Sequence, residues 1–447
     1  MKGLNRTIIV VAVGLVLIAW KSRAQTTPSQ ALIAKQQQNI MGGFGLTFID
    51  GQPYYLFNLM PELSFGKIGV GLDLNIRVGK NGKIRSEDFD EGYDYLRIIR
   101  YIRYGTKKEP LYARVGVLDY ARLGHGTIVY NYRNSASYDE RKFGMEFDLD
   151  FEKFGFESVY SDFGAAGLFG LRTYARPLKF TSLADVPVIG GMEAGITYAA
   201  DFHEKADVTA PIGPSPRPLA LAQDGGSLGI FGFDIGFPVL SMPMVNSTLY
   251  TDFASISGYG SGLAVGIDLY FSGLGIVGIG AKYERRWTGD QYMPSYFDAL
   301  YEKERYVPFD TTGFMSKAQL LKSVTGGEGY YGELLVSILG TFNIIGGYQS
   351  PVGVKNAGIL HFEFDAGDAI PGIILRAGYD KKNVGRVFKV DNNSLFSVDF
   401  GYKPLPFIFV STTYLWTFTE EKNDAGVVTG YKSQKRIEPK VGFVISF

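Results

Sequence analysis

The chain has 447 residues and carries 45 Lys and Arg against 45 Asp and Glu, so no basic excess points to nucleic acid and no acidic surplus to a charge-driven partner. With no cysteine, disulfide staples and thiolate metal sites are excluded. Glycine (57), tyrosine (29) and phenylalanine (33) are abundant although mean hydropathy is only +0.02, which suits strands with one apolar and one polar face better than helices rich in Ala, Leu, Glu and Lys.

Lys2 and Arg6 precede an apolar run from Ile8 to Trp20, and Ser22-Arg23-Ala24 places small residues at the third and first positions before a cut. This pattern predicts a secretory signal peptide over 1–24. The run falls short of the ~20 residues a membrane-spanning helix requires. A polar stretch over 25–41 follows, read as a periplasmic lead-in: a strap or small stopper beneath the domain that begins at Gly42.

From 42 to 447 the chain divides into segments of about ten residues that alternate apolar and polar positions, separated by Gly, Pro, Asn and Asp. In Lys142 to Phe151, Phe143, Met145, Phe147, Leu149 and Phe151 oppose Gly144, Glu146, Asp148 and Asp150. The same split recurs at Leu72 to Val78, Leu263 to Phe271, Leu360 to Asp365, Phe396 to Tyr402 and Ile408 to Phe418. Short connections (Phe65-Gly66, Thr106 to Glu109, Glu152-Lys153, Ser272 to Leu274, Leu339-Gly340, Gly367 to Ile370, Pro404-Leu405) alternate with long ones (Gly79 to Gly92, Ala121 to Arg141, Asp201 to Gly226, Thr288 to Glu328, Lys381 to Asn393, Glu420 to Arg436). Two connections, Pro177 to Pro187 and Phe237 to Met244, are long for the short-turn side. The fold expected is all-β, a transmembrane antiparallel up-and-down barrel of about 20 strands, with 16 or 18 as alternative counts. Short turns face the periplasm and long loops face outward.

Arg97, Arg100 and Arg103 cannot all face one side of a regular strand, so either a β-bulge resets the register or Arg100 pairs with a neighbour. On the expected register Arg97, Arg103 and Arg114 point into the lumen, opposite Glu146, Asp148 and Asp150. Asp268, His361 and Glu363 fall on lumen positions further along. Facing ladders of arginines and carboxylates would set a transverse field that selects small charged or polar solutes. The same groups, paired directly, would instead fill the lumen as a static network.

Signs of catalysis are sparse. The three histidines, His125, His203 and His361, lie far apart, with His125 and His203 in expected outside loops, and no G-x-S-x-G elbow occurs. His125, in Leu123-Gly124-His125-Gly126, is the one candidate for a rim hydrolase, against a plain glycine-rich turn. Glu87-Asp88-Phe89-Asp90-Glu91 lacks the spacing of a calcium loop and reads as a solvated turn. The chain is therefore read as no enzyme, with no cofactor and no metal.

The final strand alternates Val441, Phe443, Ile445 and Phe447. With the signal peptide and the alternating segments, it makes the chain resemble bacterial outer-membrane β-barrels of the porin-like kind. The resemblance implies a Gram-negative outer-membrane location, lipid around the barrel, and recognition of those four residues by the barrel assembly machinery. Looser is a likeness to long-chain fatty-acid transporter barrels, through Met41-Gly42-Gly43-Phe44 and Asn58-Leu59-Met60-Pro61; the Asn-Pro-Ala motif of that family is absent. The function expected is passive diffusion of small polar or charged solutes, with 288–328 folded inward as a constriction. A hydrophobic-ligand transporter and a non-conducting surface barrel are the alternatives.

Overall fold

In a computed structural model of the chain, the described residues are 39–446 apart from 50–51, 91, 108, 136–141, 165–166, 203–208, 211–216, 219–226, 243, 274–275, 309–313, 340, 368, 392 and 424–427. The expected signal peptide, most of the lead-in, His203 and Phe447 lie outside them. One antiparallel sheet of twenty-one hydrogen-bonded segments closes on itself; Ile68–Leu72 and Leu74–Gly79 are halves of one strand, which leaves twenty staves. We number them β1 (Asn39–Ile49), β2 (Gln52–Phe65), β3 (the two halves just given), β4 (Ile99–Tyr104), β5 (Leu111–Gly116), β6 (Gly144–Asp150), β7 (Phe154–Tyr160), β8 (Leu168–Ala175), β9 (Glu193–Asp201) and β10 (Leu228–Ser241). The series continues with β11 (Val245–Ile256), β12 (Ser261–Gly273), β13 (Val277–Thr288), β14 (Gly327–Ile338), β15 (Phe342–Pro351), β16 (Gly358–Asp365), β17 (Ile373–Val384), β18 (Ser394–Leu405), β19 (Ile408–Lys422) and β20 (Val428–Ser446).

Closure is made by β1, which pairs with β2 on one side and β20 on the other, Gly43 standing opposite Gly442 and Phe44 opposite Val441. Both sheet edges disappear, and every stave finds two partners for its backbone groups, which hydrocarbon would otherwise leave unsatisfied. The alternation seen in the sequence becomes the two faces of the wall. On β12, Leu263, Val265 and Ile267 are exposed on the outside while Ala264 is buried within. Phe231 and Phe233 of β10 and Leu249 and Phe253 of β11 extend the same outer surface. A continuous apolar belt of this kind far exceeds the patches of a few hundred Å² that water tolerates on a monomer, and it matches a hydrocarbon surround.

Most turns fall where the alternation puts them. Glu152, at φ 65°, makes the tight β6–β7 turn. Two expectations need correcting. The connection 420–436 is not a long loop: β19 and β20 stay paired outward, Phe418 opposite Ser433 and Glu420 opposite Tyr431. Nor is 237–244 a long inside turn, because β10 runs on through Phe237 to Ser241 with a register shift between Pro238 and Leu240. The 177–187 connection is indeed long and contains a short 3-10 turn, Pro177–Phe180.

Both alternatives posed for Arg100 hold. On β3, Gly71 stands opposite Tyr101 and Leu72 opposite Ile99, so Arg100 is the extra residue of a bulge. Its guanidinium donates to Glu62 Oε2 at 2.7 Å, and the Tyr101 hydroxyl donates to the same carboxylate. The bulge places consecutive residues Arg100 and Tyr101 on one lumen-side acceptor. Arg97 does not belong to the stave: it follows a helical turn, Gly92–Leu96, and pairs with Asp94 at 2.6 Å.

Candidate functional site in the barrel lumen

Two outside connections turn back into the barrel. The described residues of 117–143 and 289–326 meet through a parallel bridge between Val129 and Phe297 and through Ser295 N–H donating to the Thr127 carbonyl at 2.7 Å. Between them they bury Leu118, Leu123, Ile128, Tyr296, Phe297 and Leu321 against lumen-side residues of the wall such as Val159, Ile230 and Ile256. The inward fold of 289–326 agrees with the sequence reading; that of 117–143 corrects it, since this loop was expected outside. The two loops form one plug.

Its ties to the wall are polar. Tyr301 Oη and Arg305 both donate to Asp201 at 2.6 Å. Within the plug, Tyr132 donates to Glu302, which also accepts from Lys142 at 2.5 Å and so ties one loop to the other. Burial pushes the Tyr132 and Tyr301 hydroxyls well up, so both remain protonated donors. At the other end of the plug, Lys282 Nζ donates to the His125 carbonyl at 2.5 Å, and Gly124 N–H donates to Glu157 at 2.7 Å. Gly124 has φ 54°, which spares the close approach to Arg172 that a side chain would obstruct. His125 is thus an interior residue, stacked on Tyr250 at 4.0 Å with ring planes 2° apart, and not a rim group in an outside loop.

Behind the plug the lumen wall is dry and ionic. Arg172, 1% exposed, binds Asp234 through Nε and Nη2 at 2.8 and 2.6 Å and reaches Glu193 at 2.9 Å. Lys282 and Arg286 flank Glu284 at 2.9 and 2.5 Å.

The first group of expected lumen residues belongs to this static network. Glu146 and Asp148 do face inward, but both are held by Lys107 of the β4–β5 turn, at 2.5 and 3.5 Å. Asp150 is held by Arg176 at 2.9 Å. Arg114 faces inward beside Arg103, its cross-strand partner, and lies 3.4 Å from Asp119. Asp268 stands 4.0 Å from Arg122 of the plug. These are neighbours in direct contact, not ladders facing each other across a gap.

The opposite wall is wet. On β16 and β17, His361 Nδ1 lies 2.5 Å from Asp380 and its Nε2 lies 4.0 Å from Glu363, and their side chains are 47%, 49% and 48% exposed. Arg376 pairs with Asp365 at 3.1 Å and stays more than half exposed. Cross-strand register puts His361 opposite Asp380, Glu363 opposite Gly378 and Asp365 opposite Arg376 on the lumen side, while Phe362 and Phe364 take the outside. Facing this wall, the plug presents Tyr120 with Arg133 over its ring at 4.5 Å. Arg133 is within electrostatic reach of His361, and Tyr120 within reach of Glu363.

The acidic 87–91 loop is likewise spoken for in part: Asp88 takes Arg77 at 2.5 Å and Arg85 at 2.7 Å. Among the described residues no group of three or more His, Asp or Glu side chains converges as a metal site. Of the terminal residues, Val441 and Ile445 are exposed on the outer face and Phe443 shares their side; Phe447 lies outside the described residues. His361 and Glu363 were expected at lumen positions, whereas Arg133, Tyr120, Asp380 and Arg376, which stand beside them, were not singled out in the sequence. The last two sit on a regular inward period that was there to be read; Arg133 and Tyr120 sit in a loop, where no period announces a direction.

No protein-family model matches the chain, and no curated protein matches it. Among solved structures it is similar to Wzi of Escherichia coli, described as an outer membrane protein involved in group 1 capsule assembly and a carbohydrate-binding β-barrel, at 11% identity over 95% of this chain and 90% of that one, with a TM-score of 0.37. It is also similar to OccK11 (OpdR) of Pseudomonas aeruginosa, at 11% identity over 91% and 94% and a TM-score of 0.32. OccAB4 of Acinetobacter baumannii matches at 8% identity over 92% and 97%, again with 0.32. The chain has the architecture of outer-membrane β-barrels. At these scores nothing about ligand or solute passes from the neighbours to this chain, and its fold rests on the strand pairing described above.

Proposed function

We infer that the chain is an outer-membrane channel that passes small polar or charged solutes along an off-centre water path, between the plug and the wall of β16 and β17. One observation carries this reading: inward-facing charges such as Arg172, Asp201, Asp234 and Glu284 are buried on the plugged side, yet His361, Glu363 and Asp380 on the other side remain about half exposed. Water reaches the interior there, and ions can follow where charged groups replace part of their hydration. The narrow point is the gap between Arg133 with Tyr120 and the three wall residues. Opposite charges across it favour polar solutes over apolar ones. Signal-directed export and an outer-membrane location belong to the same reading, supported by the apolar outer belt and the basic–apolar–small pattern of residues 1–24.

Planar-bilayer recording on the purified full chain tests it. The expected outcome is discrete conductance steps whose ion preference shifts toward cations in Arg133→Glu and toward anions in Glu363→Gln. A folded barrel without steps sinks the channel reading. It would leave a second one, a non-conducting barrel, which the dry packing of the two-loop plug favours.

A further inference from the structure

The outer face of β16 to β20 carries a feature that solute passage does not use. Cross-strand register lines up Phe362, Tyr379, Phe396, Trp416 and Lys435 on the outside of five consecutive staves. The rings touch: Tyr379 and Phe396 are 6.4 Å apart, Phe396 and Trp416 5.3 Å, and Tyr414 stacks beside Trp416 at 5.8 Å. Lys435 ends the row with its Nζ 4.8 Å from the Tyr414 centroid and 5.8 Å from that of Trp416. An aromatic row on the outer wall of a barrel marks the depth of an interface, where rings sit between acyl chains and headgroups. A lysine within that row is placed at the headgroup level on the lipid side.

The β17–β18 loop comes down to the same row. The Tyr379 hydroxyl donates to the Val387 carbonyl at 2.7 Å, and Lys381 holds Asp391 at 2.7 Å. This fixes a tip of Arg386-Val387-Phe388-Lys389-Val390 in which Phe388 is 93% exposed and every other member is also exposed. An exposed phenylalanine between two cations has no use for water on its ring. It suits an acyl chain, with an anionic headgroup between the cations. The one acid of the loop placed beside the tip, Asp391, is already engaged by Lys381.

We propose that Arg386 and Lys389, with Phe388 and the adjoining Tyr379–Phe396–Trp416 row, form a binding site for the phosphate headgroup of an acylated membrane lipid. The phosphate lies between these two cations, which a turn holds together through Lys389 N–H donating to the Arg386 carbonyl at 3.3 Å, and Phe388 inserts among the acyl chains that cover the Phe396–Trp416 rings. The inference rests on the barrel standing in a bilayer and not on conduction.

Native mass spectrometry of the full chain in detergent, titrated with dioleoyl-phosphatidylglycerol, dioleoylglycerol or inorganic phosphate, tests it. Phosphatidylglycerol should be retained well above dioleoylglycerol, and inorganic phosphate should not compete with it. Arg386→Gln should weaken retention about fivefold, with a comparable further loss in Arg386→Gln/Lys389→Gln. Lys432→Gln, on the lumen side of β20, should leave it unchanged. Equal retention of dioleoylglycerol, an equal loss in Lys432→Gln, or displacement by inorganic phosphate would overturn the site. Adherence of neither lipid would likewise overturn the site, whereas insertion of the folded chain into liposomes tests the membrane reading apart from it. Heat-modifiable gel migration shows that each variant is folded, and unaltered bilayer conductance of Arg386→Gln/Lys389→Gln separates this site from the channel.

Discussion

Arg172 shows what a single buried charge does in this barrel. Its guanidinium, closed off from water, answers buried Asp234 and part-exposed Glu193. Removing it in Arg172→Ala leaves the Asp234 carboxylate buried without its guanidinium, while Glu193 keeps Arg176 at 2.9 Å, and should cost about 3–5 kcal/mol in urea unfolding of the liposome-inserted protein. The double change Arg172→Met/Asp234→Leu, which removes both signs, should cost markedly less. Asp391 makes the contrasting case at the surface. Burial alone would raise its carboxyl, but hydrogen bonds from Lys381, the Asn393 N–H and the Ser394 hydroxyl outweigh it and hold the group below its ordinary value. A depressed carboxyl contributes stability above the unfolded value of about 3.9 and loses it as the pH falls through the folded one. Amide hydrogen exchange in 385–393 should therefore accelerate in acid relative to neighbouring loops. Asp391→Asn should remove that acid-dependent component.

Among the elements, the plug behaves as a small core of its own inside the barrel. Phe297 has no exposed surface and packs between Tyr296 and Tyr301 at 5.1 and 4.8 Å. Phe297→Ala should cost the plug about 3–5 kcal/mol while the staves, closed independently by backbone hydrogen bonds, stay folded. The expected reading is wild-type heat-modifiable migration together with larger, noisier conductance. Unchanged conductance would mean that the plug does not border the path. The bulge at Arg100 belongs to the same scale: one extra residue aims Arg100 and Tyr101 at Glu62 together. Arginines spaced by three announced the irregularity but not the partner, because Glu62 lies on a stave 38 residues earlier in the chain.

For the whole molecule, the decisive event is closure of β1 against β20. A Cβ at Gly43 would meet the Val441 carbonyl oxygen at 2.6 Å, a backbone atom that cannot swing aside. Gly43→Val should accordingly open the seam and abolish the heat-resistant folded form on gels, whereas Gly332→Ala, with open space around it, should not. Staves, parity, apolar belt and most turns were legible in the sequence, because a period of two records which face each residue takes, whatever the stave's neighbours. Glu146, Asp148, His361 and Glu363 were placed on the lumen side by that period alone. The partner of each was not. Whether Glu146 meets a lysine from a turn or faces open water depends on how loops without any period fold, and 117–143 folds inward only because its apolar residues find those of 289–326 more than a hundred positions away. The sequence by itself determined the wall, since local alternation and backbone pairing suffice to build it. Only the tertiary structure decided which half of the lumen is filled and which stays wet, because that depends on long-range packing between loops.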